Sequence, residues 1–146
     1  MKKILLTLTI LIIAAAGIVW AATGDESAAL RSSFDLRTNI RPVWDANVIA
    51  TWDDDDTGNV TQAININGII QKVVFVTPDA TNSVTYQVEI LDNEDNVIFD
   101  SGEQAENATY TFSLHEPVTG TIDVRIGPSG ALGATNPDAI VVLRGI

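Results

Sequence analysis

From Val43 onward the chain keeps a two-residue hydrophobic period, broken by Gly, Pro, Asn and Asp every eight to twelve residues or so. A helix needs a 3.6-residue period, so this pattern directs the chain toward many short antiparallel strands, packed as a sandwich or barrel. Alternation is cleanest in Val84, Tyr86, Val88 and Ile90, set against Thr85, Gln87 and Glu89. It returns in Ile122, Val124 and Ile126, set against Thr121, Asp123 and Arg125. Strands are predicted at Asn47–Trp52, Val60–Ile66, Ile69–Val76, Val84–Leu91, Val97–Asp100, Ala108–Leu114, Thr121–Ile126 and Ile140–Leu143. The run "IIQKVVFV" lacks clean alternation and reads as a central strand covered on both faces. Asn67-Gly68 reads as a type I′ turn joining two adjacent strands, because that turn needs positive φ at both central residues. Gly127–Ala139, with two prolines and three glycines, reads as a surface loop. No repeat appears at solenoid or propeller periods. The fold expected is all-β: a single antiparallel β-sandwich, jelly-roll or Ig-like, of 7–8 strands, preceded by an N-terminal apolar helix.

The apolar helix is predicted from residues 1–22. Lys2 and Lys3 precede a stretch that is uncharged from Ile4 to Ala22. Val19 and Ala21 flank Trp20 as small residues do at a signal-peptidase site, with cleavage after Ala21. The same stretch, as a helix about 28 Å long, also reaches across a hydrocarbon core, with Trp20 at the far interface. Both a cleaved signal peptide and a retained transmembrane signal-anchor fit, and either places the remainder outside the cytoplasm. Residues 23–42 lack a sustained period and end on Pro42. They read as a polar tether, with room for a short helix around Ser27–Leu36. Residues 43–146 then form the β-sandwich domain.

Charge and cysteine content remove several function classes. Eight basic residues face 19 acidic ones, and without Lys2 and Lys3 the balance is six against 19, a net charge of −13. Such a surface repels phosphate backbones, and the remaining cations do not cluster in sequence, so no nucleic-acid partner is expected. There are no cysteines, hence no disulfide framework, thiolate metal site or thiol nucleophile.

One stretch invites a metal. In "WDDDDTGNVTQAI", Asp53, Asp55 and Thr57 occupy positions 1, 3 and 5 of a calcium loop and Gly58 position 6. Position 12, which needs a bidentate Glu, is Ile64, and the flanks read as strands. That excludes an EF-hand and leaves a weak calcium site on Asp53, Asp55 and Thr57, set against the plainer reading of the solvated end of a Trp52/Val60 hairpin. "DNEDN" at 92–96 reads as a second acidic hairpin turn. His115 has no Ser in a nucleophile elbow to serve, and "GPSGA" departs from that motif, so no catalytic residues are assigned. No cofactor is expected beyond the weak calcium. Trp44 and Trp52 could mark a sugar-binding face, whereas Phe75, Tyr86, Phe99, Tyr110 and Phe112 fall at inward positions and read as core. Asn59 and Asn107 head glycosylation sequons.

The segments "ATWDDDDTGNVTQAININGIIQKVVFVTP", "VTYQVEILDNEDNVIFD", "TGTIDVRIG" and "AIVVLRGI" resemble small β-sandwich virion proteins of tailed and membrane-containing phages, over about residues 47–146. The resemblance implies a capsid-decorating, vertex or fibre-base subunit that assembles with other protein subunits, as a homo-oligomer. The leader departs from the tailed-phage pattern and suits a virus with an internal membrane, the helix 4–22 lying in the lipid. The function expected is non-catalytic: an exported or membrane-anchored virion or envelope subunit. The alternative is a secreted or periplasmic adhesion or carbohydrate-binding module.

Overall fold

The computed structural model describes residues 27–35, 43–133 and 137–146. The leader and most of the tether lie outside the described residues. The described residues form eight strands: β1 Ser27–Asp35, β2 Val43–Thr51, β3 Val60–Thr77, β4 Thr85–Leu91, β5 Val97–Asp100, β6 Gln104–Ala105, β7 Ala108–Pro128 and β8 Asp138–Gly145. All pairings are antiparallel, in the order β1-β2-β8-β3-β7-β4-β5, with β6 beside β4.

Two unusually long strands turn this one hydrogen-bonded sheet into a sandwich. β3 and β7 pair along almost their whole length, from Val60↔Ile126 to Thr77↔Ala108, with a register shift between Ile70 and Lys72. On the 70–77 side of the shift, β3 also pairs with β8, which pairs with β2 and, through it, with β1. Toward the other end β7 pairs instead with β4. Residues 70–77 and 108–116 therefore belong to a first layer with β1, β2 and β8. Residues 60–66 and 120–128 belong to a second layer with β4, β5 and β6. Gly68 (φ 154°) and Gly120 (φ 87°) lie at the crossover, where the strands pass between layers.

The two layers bury alternate residues against each other, as the period of two requires. Val48, Ala50, Val73, Phe75, Val141 and Leu143 of the first layer face Tyr86, Val88, Ile90, Ile122, Val124 and Ile126 of the second. Trp52 lies across the gap with its ring centroid 6.2 Å from that of Tyr86. One open side is narrowed by Phe99 of β5 and Phe112 of β7, edge to face at 5.2 Å.

Four expectations change. Asn67-Gly68 is not a hairpin: the flanking runs form one strand, because β7 offers continuous pairing across both. Trp52 and Val60 are not joined as a hairpin either, since β2 pairs with β1 and β8, and the 52–59 connection crosses from the first layer to the second. Within the tether span, residues 27–35 form a strand rather than a connector or helix, because β2 supplies a full-length partner. The 127–139 loop is shorter than expected: β7 runs on to Pro128, and Leu132 is wholly buried. The 92–96 turn does link β4 to β5, with Asp95 at φ 62°.

Candidate functional site

The aspartate loop is built from its own backbone. The Asp53 N–H donates to Asp56 Oδ2 at 3.0 Å, and the Asp56 N–H donates to the Asp53 carbonyl at 3.3 Å, closing a turn. Asp56 is 9% exposed, whereas Asp54, Asp55 and Thr57 are open to solvent. The Trp52 Nε1–H donates to the Gly58 carbonyl at 2.9 Å, and the Gly133 N–H to the Asp54 carbonyl at 2.8 Å, so the loop is tied down at both ends. A turn at 53–56 replaces the extended chain that would set Asp53 and Asp55 on one side. Among the described residues no three His, Cys, Asp or Glu side chains converge as metal ligands would.

The second acidic turn is also self-satisfied. Asp92 accepts hydrogen bonds from the Asn96 side chain and from the N–H groups of Glu94 and Asn96. The Asn96 amide, and then those backbone donors, hold its carboxyl below the usual carboxylate range. His115 stands exposed within β7. Asn59 and Asn107, which head the sequons, are exposed.

Among the described residues, two hollows bear on ligand binding. The smaller, about 90 Å³, lies over the outer face of β4 and β7. Two pairs of its polar groups serve one another: Arg125 Nη1 lies 3.2 Å from Glu89 Oε2, and the Thr85 hydroxyl donates to Glu103 at 3.3 Å. The Tyr86 hydroxyl, which also lines it, is buried with no hydrogen-bond partner among the described residues.

The larger, about 490 Å³, opens between the first layer and the 60–66 stretch of β3. Among the described residues that stretch pairs with β7 alone, leaving its other edge bare toward β1 and β2. Leu30 of β1, Trp44 and Ala46 of β2, and Ile64 and Ile66 of β3 line it, and Asn65 and Asn67 stand exposed at its rim. Trp44 is 7% exposed, and its indole lies against Gly68 and Gly145, the close approach that requires both to lack a Cβ. The buried Trp44 Nε1 has no hydrogen-bond partner among the described residues. The Asn67 carbonyl oxygen accepts from the Thr119 hydroxyl at 2.8 Å and the Gly120 N–H at 3.2 Å, which fixes the side chain and leaves its amide nitrogen for a ligand. Asp45 also borders the cleft, but its carboxylate is engaged by Arg144 Nε at 3.4 Å.

Of the two residues that the sequence offers for a sugar face, Trp44 belongs to this cleft, whereas Trp52 is wholly buried in the core. Asp53, Asp55 and Thr57 are not among its lining residues. Leu30 and the Ile64–Asn67 wall join the site without having been expected there. The alternation of Ile and Asn in "ININ" is the one signal that points to them, because it sets apolar side chains inward and amides outward on one strand.

No family model matches the chain, and no curated protein matches it. Solved structures do. TmCBM61 in complex with β-1,4-galactotriose superposes with a TM-score of 0.41 at 12% identity, covering 80% of this chain and 83% of that one. The C-terminal family 22 carbohydrate-binding module of Clostridium thermocellum Xyn10B gives 0.40 at 11%, covering 87% and 89%. The infectious bursal disease virus Gx strain structure gives 0.33 at 9%, covering 82% of this chain and 32% of that one. Similar structures are thus mostly carbohydrate-binding β-sandwich modules, with a viral capsid among them, and at these identities and scores no function is carried over.

Proposed function

We propose that the protein is a non-catalytic recognition module of the extracytoplasmic space that binds a glycan in the Trp44 cleft. The observation that carries this reading is the cleft's composition: apolar Leu30, Trp44, Ile64 and Ile66 along the walls, with the Asn65 and Asn67 amides at the lip. Sugars present apolar C–H faces bordered by hydroxyls. Such a surface suits an aromatic and aliphatic wall with a few fixed amides at its edge. A volume of about 490 Å³ lies within the range of small-ligand sites. The leader, Ile4–Ala22, supplies export or anchorage under the same proposal, and the strong acidity argues against nucleic acid.

The test is a screen of the full-length chain against a panel of soluble oligosaccharides, followed by calorimetry on those that bind. Asn65→Ala is expected to weaken binding by about tenfold with an unchanged melting temperature, since Asn65 is exposed. No oligosaccharide binding at millimolar concentration would overturn the reading. An assembly role in a virion or cell envelope is the second reading, and one observation favours it: the aliphatic outer face of the first layer.

A further inference from the structure

The two outer faces of the sandwich differ in chemistry. On the second layer the outward positions are polar but for Ala63: Thr61 on β3, Thr121, Asp123 and Arg125 on β7, and Gln87 and Glu89 on β4, with Asn65 of β3 at the rim of the cleft. On the first layer, the outward side chains of three adjacent strands form an aliphatic centre between polar rows. Ile49 of β2 pairs with Ile140 of β8, which pairs with Val76 of β3. One step along the strands, Asn47 pairs with Val142, which pairs with Val74. Ile49, Val74, Val76, Ile140 and Val142 all remain partly exposed.

A second observation agrees. The runs "IIQKVVFV" and "AIVVL" lack the alternation of a strand with one wet face, a pattern that goes with burial on both sides. The sandwich core covers only one side of them. The rows on either side are polar: Asp45 pairs with Arg144, which pairs with Lys72, and at the other end Thr51 pairs with Asp138.

We propose that this face packs against the same face of a second copy of the chain, about a two-fold axis running along β8. Such an axis sets β2 of one copy over β3 of the other. Ile49 then lies over Val76 of the second copy and Asn47 over Val74, while Ile140 and Val142 meet their own counterparts. The same operation sets Asp45 of each copy over Lys72 of the other, so the charged row is self-complementary, as an isologous interface requires. Arg144 and Asp138 also meet their counterparts near the axis, Arg144 with its charge already engaged by Asp45 and Asp138 with its carboxylate accepting from the Thr51 hydroxyl. Flat sheets of β-branched residues stack at about 10 Å in this way. A lipid surface fits less well, because a chain of net charge −11 is repelled by anionic headgroups. The inference rests on the first layer and does not depend on the glycan reading, since only Asp45 borders both surfaces and the cleft otherwise lies on the inward side of β2.

The chain has no cysteine, so single cysteines report position cleanly. In the full-length protein, Val142→Cys is expected to cross-link efficiently with a short bis-maleimide, and Thr121→Cys on the opposite face is not. By sedimentation in non-ionic detergent the unmodified chain is expected to dimerise. Val142→Glu should weaken dimerisation by at least about tenfold without lowering the melting temperature, its side chain lying outside the core. Asp45→Lys should weaken it as well, and adding Lys72→Asp should restore it. Equal cross-linking from both cysteines would overturn the proposal, because association would then run through another part of the chain. A monomer at all concentrations would also overturn it, as would a dimer indifferent to Val142→Glu. Vesicle binding lost in Val142→Glu, with the chain monomeric throughout, would assign the face to lipid instead and equally refute it.

Discussion

Replacing Gly68 by Ala tests how the two layers are joined. An added Cβ would overlap the carbonyl oxygen of Ile146 and stand 3.1 Å from its carbonyl carbon and 3.0 Å from Trp44 Nε1. That oxygen cannot simply step aside, because it accepts from the Ile69 N–H at 2.8 Å while the Ile146 N–H donates to the Ile69 carbonyl at 3.1 Å. Relieving the overlap therefore breaks or stretches two hydrogen bonds, each contributing about 1 kcal/mol. The φ of 154° adds backbone strain of about 1 kcal/mol, for a total near 3 kcal/mol. Gly120 is the control. It has φ 87° but open space where its Cβ would go, so Gly120→Ala should cost only the strain, about 1 kcal/mol. In urea melts at neutral pH, Gly68→Ala should lose about three times the stability lost by Gly120→Ala, with unchanged m-values. Thermal midpoints should fall by about 10 °C and 3 °C respectively. Equal losses would refute the close approach at Gly68 and leave only the backbone conformation.

Two further outcomes follow from ionisable groups. Burial, then the carboxylates of Glu106 and Asp79, push the Tyr86 hydroxyl up to about 12. A raised native pKa gives stability that is intact below about pH 10 and lost as pH rises toward 12, so that limb of the stability profile should flatten in Tyr86→Phe. Asp92 acts in the opposite sense: its lowered pKa gives stability that is present above the ordinary carboxylate range and lost as pH falls through the native value, a limb that Asn96→Ala should shrink. Calorimetric titration with calcium should show at most millimolar affinity at Asp53–Thr57. Micromolar binding abolished by Asp53→Asn/Asp55→Asn would make that loop a metal site.

The strands at 84–91 and 121–126 are legible because alternation is a local property, and Tyr86, Val88, Val124 and Ile126 are fully buried as it predicts. Asn67-Gly68 misleads because a glycine serves equally for positive φ in a turn and for close approach of another chain segment. Only the pairing with β7 and the position of Ile146 decide between these uses. β1 is illegible for a related reason: "SAALRSSFD" has little strand propensity of its own and is a strand because β2 pairs with it. The same holds for the cleft. Trp44 and Asn67 stand out by residue type, but Leu30 faces Ile64 and Ile66 only once a strand early in the chain has been laid beside the bare edge of β3.

The continuity of β3 and β7 through both layers also orders folding in time. At the near end of their ribbon, Thr77 and Ala108 are 31 residues apart in sequence, bridged by the Thr77 hydroxyl. The seam that joins β2 to β8 closes across 87 residues, as between Thr51 and Asp138. Loop-closure entropy makes the second step costlier by about 0.9 kcal/mol when each is closed from an open chain, so the ribbon should zip first, around the local β4–β5 hairpin. Because the ribbon spans both layers, zipping it registers each layer to the other before the core between them is complete. Substitutions along the ribbon then slow folding, whereas those at the β2–β8 seam chiefly speed unfolding.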